Sequence, residues 1–261
     1  MTHFSLNAII LAAGFGTRLQ QLGKNTAKGL FKNTQGLCLT DLILQALSQE
    51  KEIGQIALIT NNHFYSQYEQ HLQSINQQNQ NQTKENYQPV TLINDQVQTA
   101  ARRLGSLGDL VFALDELEWW DRAVLVTPSD RTPSNLIKQL IRSYHQHPRA
   151  FHTCVAQDSQ ENIRQTYGCA QLSDQQQIIS FQEKPTHPKG NYRAVPYYIY
   201  SPEALGELRA YKQSNQNMDS PGNIIPWLLE REFPVYACIN QDRTNSFDLG
   251  NLSQLEEFQQ S

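Results

Sequence analysis

Residues Asn7–Leu30 read NAIILAAGFGTRLQQLGKNTAKGL, and this stretch decides the fold. The run Ala8–Ala13 is apolar without alternation, the pattern of a strand buried on both faces of a parallel sheet. It stops abruptly at Gly14-Phe15-Gly16-Thr17-Arg18, and Lys28 follows ten residues after the arginine. Glycines at the end of a buried strand let the backbone turn sharply and approach a ligand closely. Successive N–H groups in such a loop face an anion, and Arg18 and Lys28 add two cations. The loop is not a dinucleotide fingerprint, because Leu19 stands at the third glycine position. Nor is it a Walker A loop, because no Gly-Lys-Ser/Thr follows. It reads as a phosphate-binding loop of another kind.

Outward from this loop, short apolar strands alternate with helices. Gln55–Thr60, Val90–Ile93 and Ala123–Val126 read as strands, and Asp41–Leu47, with Thr40 as its N-cap, as a helix. His63–Leu72 is a polar helix, and the Gln/Asn-rich tract Gln73–Gln88 is expected to be a loop without core residues. Asp109–Leu117 and Ser134–His145 are further helices. This alternation over residues 1–150 predicts a parallel, doubly wound α/β sheet covered on both faces. Beyond it come strands Phe151–Ala156, Gly168–Leu172, Ile178–Phe181, Arg193–Tyr200 and Val235–Ile239, with helices from Pro202, Pro221 and Leu252. No Pro-, Gly- or Ser-rich linker divides the chain, so 1–261 reads as one mixed domain whose part 151–261 closes the site.

Composition agrees with a globular chain: 39% hydrophobic, 18% charged and a net charge of −4 over 261 residues. Mild acidity argues against a nucleic-acid polymer as partner. The first six residues, MTHFSL, carry no lysine or arginine ahead of a short, Gly-broken apolar run. Neither a signal peptide nor a membrane helix is expected, and a cytoplasmic location is the default. Cys38, Cys154, Cys169 and Cys238 form no C-x-x-C pair and read as reduced, buried thiols. The seven histidines show no H-x-x-x-H spacing, so no zinc site is expected.

With these residues in hand, LAAGFGTRL followed by Lys28 and Leu30 resembles L-x-x-G-x-G-T-R-L and P-K-x-L of the sugar-phosphate nucleotidyltransferases. RLGSLGDL (Arg103–Leu110) is similar to that family's second glycine loop, and FQEKP (Phe181–Pro185) to its F-x-E-K-P motif. MDSPGNIIPWLL (Met218–Leu229) and FDLGNLSQLEEF (Phe247–Phe258) resemble its closing segments. The sequence departs from the pattern at Ala27 (proline), Gly23 (threonine), Ser129 (glycine) and Ser246 (an aromatic), but no charged group is lost. Ala27 and Gly29 suggest a loose lysine segment that orders with nucleotide.

The resemblance implies a three-layer, Rossmann-like fold of the nucleotide-diphospho-sugar transferase type, with a mixed, mainly parallel sheet. It implies an enzyme joining an NTP and a sugar-1-phosphate into an NDP-sugar and pyrophosphate, commonly as a homo-oligomer. Ala12, Ala13, Gly14, Gly16 and Thr17 would bind the nucleotide, with Arg18 and Lys28 on its phosphates. Asn94, Asp95, Arg103, Gly105, Ser106 and Gly108 would contact base or ribose. Glu183 and Lys184 would hold the sugar phosphate, and Asp130 and Asp248 would hold Mg2+ through oxygen ligands. Taken alone, Asp130 is a strand-end turn residue, Asp248 a turn with Gly250, and Glu183-Lys184 a solvated pair. Trp119 and Trp120 read as packing residues. Two alternatives stay open: a cytidylyltransferase acting on phosphocholine or another phosphorylated alcohol, and a non-catalytic nucleotide-sugar-binding regulator. A glycosyltransferase of related fold would carry Asp-x-Asp where this chain reads Ser129-Asp130-Arg131.

Overall fold

In the computed structural model, residues 6–17, 25–81, 88–133, 135–240, 249 and 252–261 are described. The strands are β1 (Leu6–Leu11), β2 (Ile53–Thr60), β3 (Val90–Asn94), β4 (Val124–Pro128), β5 (Phe151–Gln157), β6 (Cys169–Leu172), β7 (Ile178–Gln182), β8 (Tyr192–Tyr200) and β9 (Val235–Asn240). The helices are α1 (Leu39–Ser48), α2 (Tyr65–Asn81), α3 (Ser106–Leu117), α4 (Leu136–Gln146), α5 (Gln160–Ile163), α6 (Pro202–Gln213), α7 (Ile224–Glu230) and α8 (Leu252–Gln260). The strand order is β3-β2-β1-β4-β8-β5-β9, with β6 and β7 off this path. Pairing is parallel across β1–β2–β3 and β5–β9 and antiparallel around β8. This is the mixed α/β class that the resemblance implies. No described helix is long and apolar enough to cross a membrane.

The chain divides into two compact units. The first is Met1–Leu104 with Thr127–Ser134 and Thr244–Ser261; the second is Gly105–Val126 with Asn135–Arg243.

In the first unit, β1 registers on β2 from Ala8 opposite Ile56 to Leu11 opposite Ile59, and Leu6, Ala8, Ile9 and Ile10 are fully buried. Helix α1 buries Leu39, Ile43, Leu44 and Leu47, one face at helical spacing. Its N-cap is Cys38 and not Thr40. The Cys38 side chain accepts the Asp41 N–H while Asp41 accepts the Cys38 N–H, a capping box built on a thiol. Thr40 sits one residue inside the helix, and its hydroxyl donates to the Gly29 carbonyl at 2.9 Å. Leu39 also joins Leu249, Leu255 and Phe258 of the C-terminal segment in a buried cluster.

The Gln/Asn-rich tract is a helix for much of its length, since α2 continues to Asn81; residues 82–87 lie outside those described. Phe64, Tyr68, Leu72 and Ile75 are buried at spacings of four, four and three, so one apolar stripe passes through the tract. Glutamine is a good helix former, and its polarity on the outer face removed the sign of that stripe from composition.

In the second unit, β5 lies between β8 and β9 and pairs with β9 from Phe151 opposite Val235. Strands β6 and β7 form an antiparallel pair, with Cys169 opposite Gln182. Helix α3 begins at Ser106, three residues before the expected start, because Ser106 and Leu107 N–H donate to the Asp219 and Met218 carbonyls at 3.1 and 3.0 Å. Those bonds satisfy two donors that a helix N-terminus leaves open. Trp119 is buried, and the Trp120 indole donates to Asp115 at 2.9 Å beneath Arg209, in keeping with packing roles. All four cysteines are free and buried.

The stripe on α2 has a measurable consequence. Leu72→Ala and Ile75→Ala should each lower unfolding free energy by about 2 kcal/mol in urea melts, the range for buried aliphatic truncation. Changes within about 0.5 kcal/mol, as for exposed loop positions, would return this segment to a loop.

Candidate functional site

In the first unit the site begins where β1 ends. Ala12 N–H donates to the Ile59 carbonyl at 2.8 Å, continuing the ladder for one residue. The Thr60 hydroxyl and the Asn61 amide then donate to the carbonyls of Ala12 and Ala13 at 3.3 and 2.8 Å. With these carbonyls held, the chain leaves the sheet as the loop Gly14–Thr17. No acceptor among the described residues faces its N–H groups. Gly16 takes φ +62°, and a Cβ there would lie 3.4 Å from Lys28 Cγ, so the lysine stem runs beside the loop.

Lys28 opens a short 3-10 turn, Lys28–Leu30, and its Nζ is 3.2 Å from Asp130 Oδ2. The two side chains are 21% and 32% exposed. Partly solvated pairs of this kind contribute about 0–1 kcal/mol, so an anion can compete with Asp130 for Lys28 at small cost. Asp130 follows β4, and its carbonyl accepts the N–H of Leu249 at 2.9 Å. Arg18 and Asp248 lie outside the described residues.

The lysine segment is tightly seated, which corrects the expectation of looseness. A Cβ on Gly29 would lie 2.8 Å from both Thr40 Oγ1 and Tyr68 OH and 2.9 Å from the Ser129 carbonyl oxygen. Tyr68 is wholly buried. Burial pushes its phenol pKa up, and the side chains of Ser129 and Thr40 are its hydrogen-bond partners. Ala27 is 1% exposed, and its N–H donates to Gln67 Oε1 at 2.9 Å. Gln67 Nε2 donates to the Asn25 carbonyl, so one amide grips two points of the segment. A proline here, as in the family pattern, would lack the N–H that this bond uses. The φ of −58° at Ala27 would itself suit proline.

At the end of β3, Asn94 donates to Asn62 at 2.8 Å, and Asp95 Oδ1 accepts the Val97 N–H at 2.7 Å. Asp95 helps line a pocket of about 390 Å³ with Gln96–Thr99 and Arg102. Burial raises its carboxyl to about 6, the Val97 bond offsetting part of the rise. Arg103 is exposed beside this strand-end segment.

In the second unit, Gly105 N-caps α3 with φ +82°, and Ser106 and Gly108 lie in the first turn of α3. Glu183 Oε1 accepts the Ser220 hydroxyl at 2.8 Å. Its Oε2 fills the space that a Cβ on Gly222 would need, and a Cβ on Gly168 would lie 3.2 Å from it and 2.5 Å from the Phe181 ring. Lys184 adopts φ +44°, a left-handed conformation costing a lysine about 1–2 kcal/mol. Its Nζ is 56% exposed as a side chain and 3.9 Å from Glu183. A held carboxylate beside a projecting ammonium can bind hydroxyl and phosphate groups of one small ligand.

The structure thus brings Gly16, Lys28 and Asp130 together in one unit and Glu183 with Lys184 in the other. Sequence reading missed the positioning roles of Thr60, Asn61, Gln67, Tyr68 and Ser220, and read Thr40 only as a helix N-cap.

A family model described as nucleotidyl transferase matches residues 7–261. The chain is 24% identical to the UTP–glucose-1-phosphate uridylyltransferase of Synechocystis sp., over 91% of this chain and 58% of that protein. It is 24% identical to the glucose-1-phosphate adenylyltransferase of Clostridium novyi, over 88% of this chain and 60% of that one. It is 30% identical to the glucose-1-phosphate thymidylyltransferase of Streptomyces griseus, over 35% and 25%. The chain therefore spans less than two thirds of the length of these curated relatives.

Two outcomes follow from this geometry. Ala27→Pro places a ring carbon against Gln67 Oε1 and should destabilise by about 1–3 kcal/mol, the cost of an unpaired buried acceptor. In a Gln67→Ala background the penalty should shrink by about 1 kcal/mol or more; strict additivity in a double-mutant cycle would remove the bond from the account. For Asp95, the unfolded carboxyl ionises near about 3.9 and the folded one near about 6. The folded state holds the proton more tightly, so stability falls as pH rises between these values and is level above. Asp95→Asn should melt above the wild type at neutral pH and converge with it near pH 4; parallel curves would contradict the burial.

Proposed function

Because the chain belongs to the nucleotidyl transferase family, we propose that it joins an NTP and a sugar-1-phosphate, giving an NDP-sugar and pyrophosphate in a Mg2+-dependent reaction. The observation that carries this reading is the Lys28–Asp130 pair beside the partly exposed loop Gly14–Thr17. The three relatives share glucose-1-phosphate in their names and differ in the nucleotide, which makes glucose-1-phosphate the first sugar to try.

A phosphate oxygen of the sugar-1-phosphate attacks the α-phosphorus. The new P–O bond forms as the bond to the bridging oxygen breaks, and its electron pair leaves on pyrophosphate. The nucleophile is already an anion, so no general base is needed. The work left to the protein is positioning and charge stabilisation. The Gly14–Thr17 N–H groups and Arg18 hold the departing phosphates, while Lys28 turns from Asp130 to the triphosphate. Glu183 accepts hydrogen bonds from sugar hydroxyls, and Lys184 holds the sugar phosphate. Asn94, Asp95 and the 103–108 loop contact base or ribose. Asp130 fits a hard cation: it is partly exposed, and its Oδ1 makes no hydrogen bond to a described residue. With Asp248 it would hold Mg2+, which supplies charge neutralisation at the α-phosphate.

The direct test is pyrophosphate release with Mg2+, each NTP and a panel of sugar-1-phosphates. One pair should turn over. Lys28→Ala and Asp130→Asn should each lower kcat/KM about a hundredfold or more with the melting curve retained. Lys184→Ala should raise KM for the sugar phosphate and leave that for NTP unchanged. Silence with every pair, or normal turnover by both first variants, would overturn the reading.

A further inference from the structure

Three metal-ligating side chains meet where the N-terminus of α1 faces α2. Cys38 is the N-cap of α1, Asp41 lies in its first turn, and His71 lies in the second turn of α2. His71 Nε2 is 2.8 Å from Asp41 Oδ1 and 3.4 Å from Cys38 Sγ. The three ligand atoms all lie within 4.8 Å of one another. Sequence spacing gave no sign of this, because 33 residues separate Cys38 from His71.

The donor set is a thiol, an imidazole and a carboxylate, the ligand types that select zinc-class cations over Mg2+. Tetrahedral zinc with metal–ligand distances of about 2.0–2.3 Å separates S and N by about 3.6 Å, and N and O by about 3.3 Å. The first spacing is already present, and the second requires the His71–Asp41 contact to open by about half an ångström. The supporting contacts are also in place. The other Asp41 oxygen accepts the Cys38 N–H at 2.8 Å, which aims Oδ1 at the imidazole. Cys38 Sγ accepts backbone N–H donors from Thr40 and Asp41, and the helix N-terminus favours the two anionic ligands. Cys38 is fully buried, whereas the His71 and Asp41 side chains are 14% and 12% exposed, which leaves a route for water to a fourth position.

We propose that Cys38 Sγ, Asp41 Oδ1 and His71 Nε2 bind one zinc-class divalent cation, with water as fourth ligand. Binding exchanges the Cys38 thiol proton for the cation and releases that proton to solvent. The site would fasten α1 to α2 directly behind Thr40 and Tyr68, the residues packed on Gly29. It stands independently of the nucleotidyl-transfer reading.

The test is a Co2+ titration of the full chain, reduced, stripped with chelator and held in excess Mg2+ to cover all-oxygen sites. One equivalent should produce a thiolate-to-cobalt charge-transfer band in the near ultraviolet, with visible bands of four-coordinate intensity. Zn2+ should erase both and raise the melting temperature. Cys38→Ser should abolish the charge-transfer band, and His71→Asn should weaken binding by about tenfold or more. Cys154→Ser and Cys238→Ser should leave the band intact. The wild-type titration keeps the test decisive even if Cys38→Ser does not fold. No thiolate band at stoichiometric Co2+, a band that survives Cys38→Ser, or a His71→Asn protein that binds Co2+ as tightly as the wild type would overturn the site.

Discussion

The absence of a side chain at residue 29 is the constraint on which the first unit depends. Thr40, Tyr68 and the Ser129 carbonyl close on Gly29 at distances that leave no room for a methyl group. Each of these contacts ties a different element to the lysine segment: Thr40 belongs to α1, Tyr68 to α2, and Ser129 to the strand end that carries Asp130. Lys28 and Asp130 are each one residue from this point. Their 3.2 Å separation is therefore fixed by packing beneath them more than by their own attraction, which is weak at this exposure. An ion pair positioned in this way can be broken by a ligand without moving the backbone that positions it.

The same logic, with other materials, operates in the second unit. Glu183 is held by the Ser220 hydroxyl and walled by two glycines, and Lys184 next to it keeps a strained backbone and a projecting ammonium. Both units place a cation on a short, irregular segment and fix that segment through neighbours without charge. Departures from the family pattern at Ala27 and Ser129 have a local account in these contacts. Ala27 retains the N–H that Gln67 requires, and the Ser129 side chain is a partner for the buried Tyr68 hydroxyl.

Much of the fold was legible because buried strands are unbroken apolar runs, as in Ala8–Ala13, and such runs have few alternative readings. The candidate charged groups Lys28, Asp130, Glu183 and Lys184 were picked out through ordered motifs, and the structure pairs Lys28 with Asp130 and Glu183 with Lys184. What escaped were features set by contacts distant in sequence. Thr40 is a better N-cap residue than cysteine by preference, yet its hydroxyl is used by Gly29 and the cap falls to Cys38. The helix through Gln73–Asn81 hid because the segment is polar in sequence apart from Ile75, its one apolar residue. The convergence of Cys38, Asp41 and His71 depends on how α1 and α2 pack, and no spacing rule encodes it.

The central claim is that a close-packed glycine, and not electrostatics alone, holds Lys28 in place beside Asp130. NTP affinity of Gly29→Ala, measured calorimetrically on protein whose melting curve shows it folded, tests this most directly. We expect Kd to rise about tenfold or more, a loss of about 1.4 kcal/mol. Adding Tyr68→Phe, which removes one of the crowding hydroxyls, should recover part of the loss. Unchanged affinity in the folded Gly29→Ala protein would contradict the account.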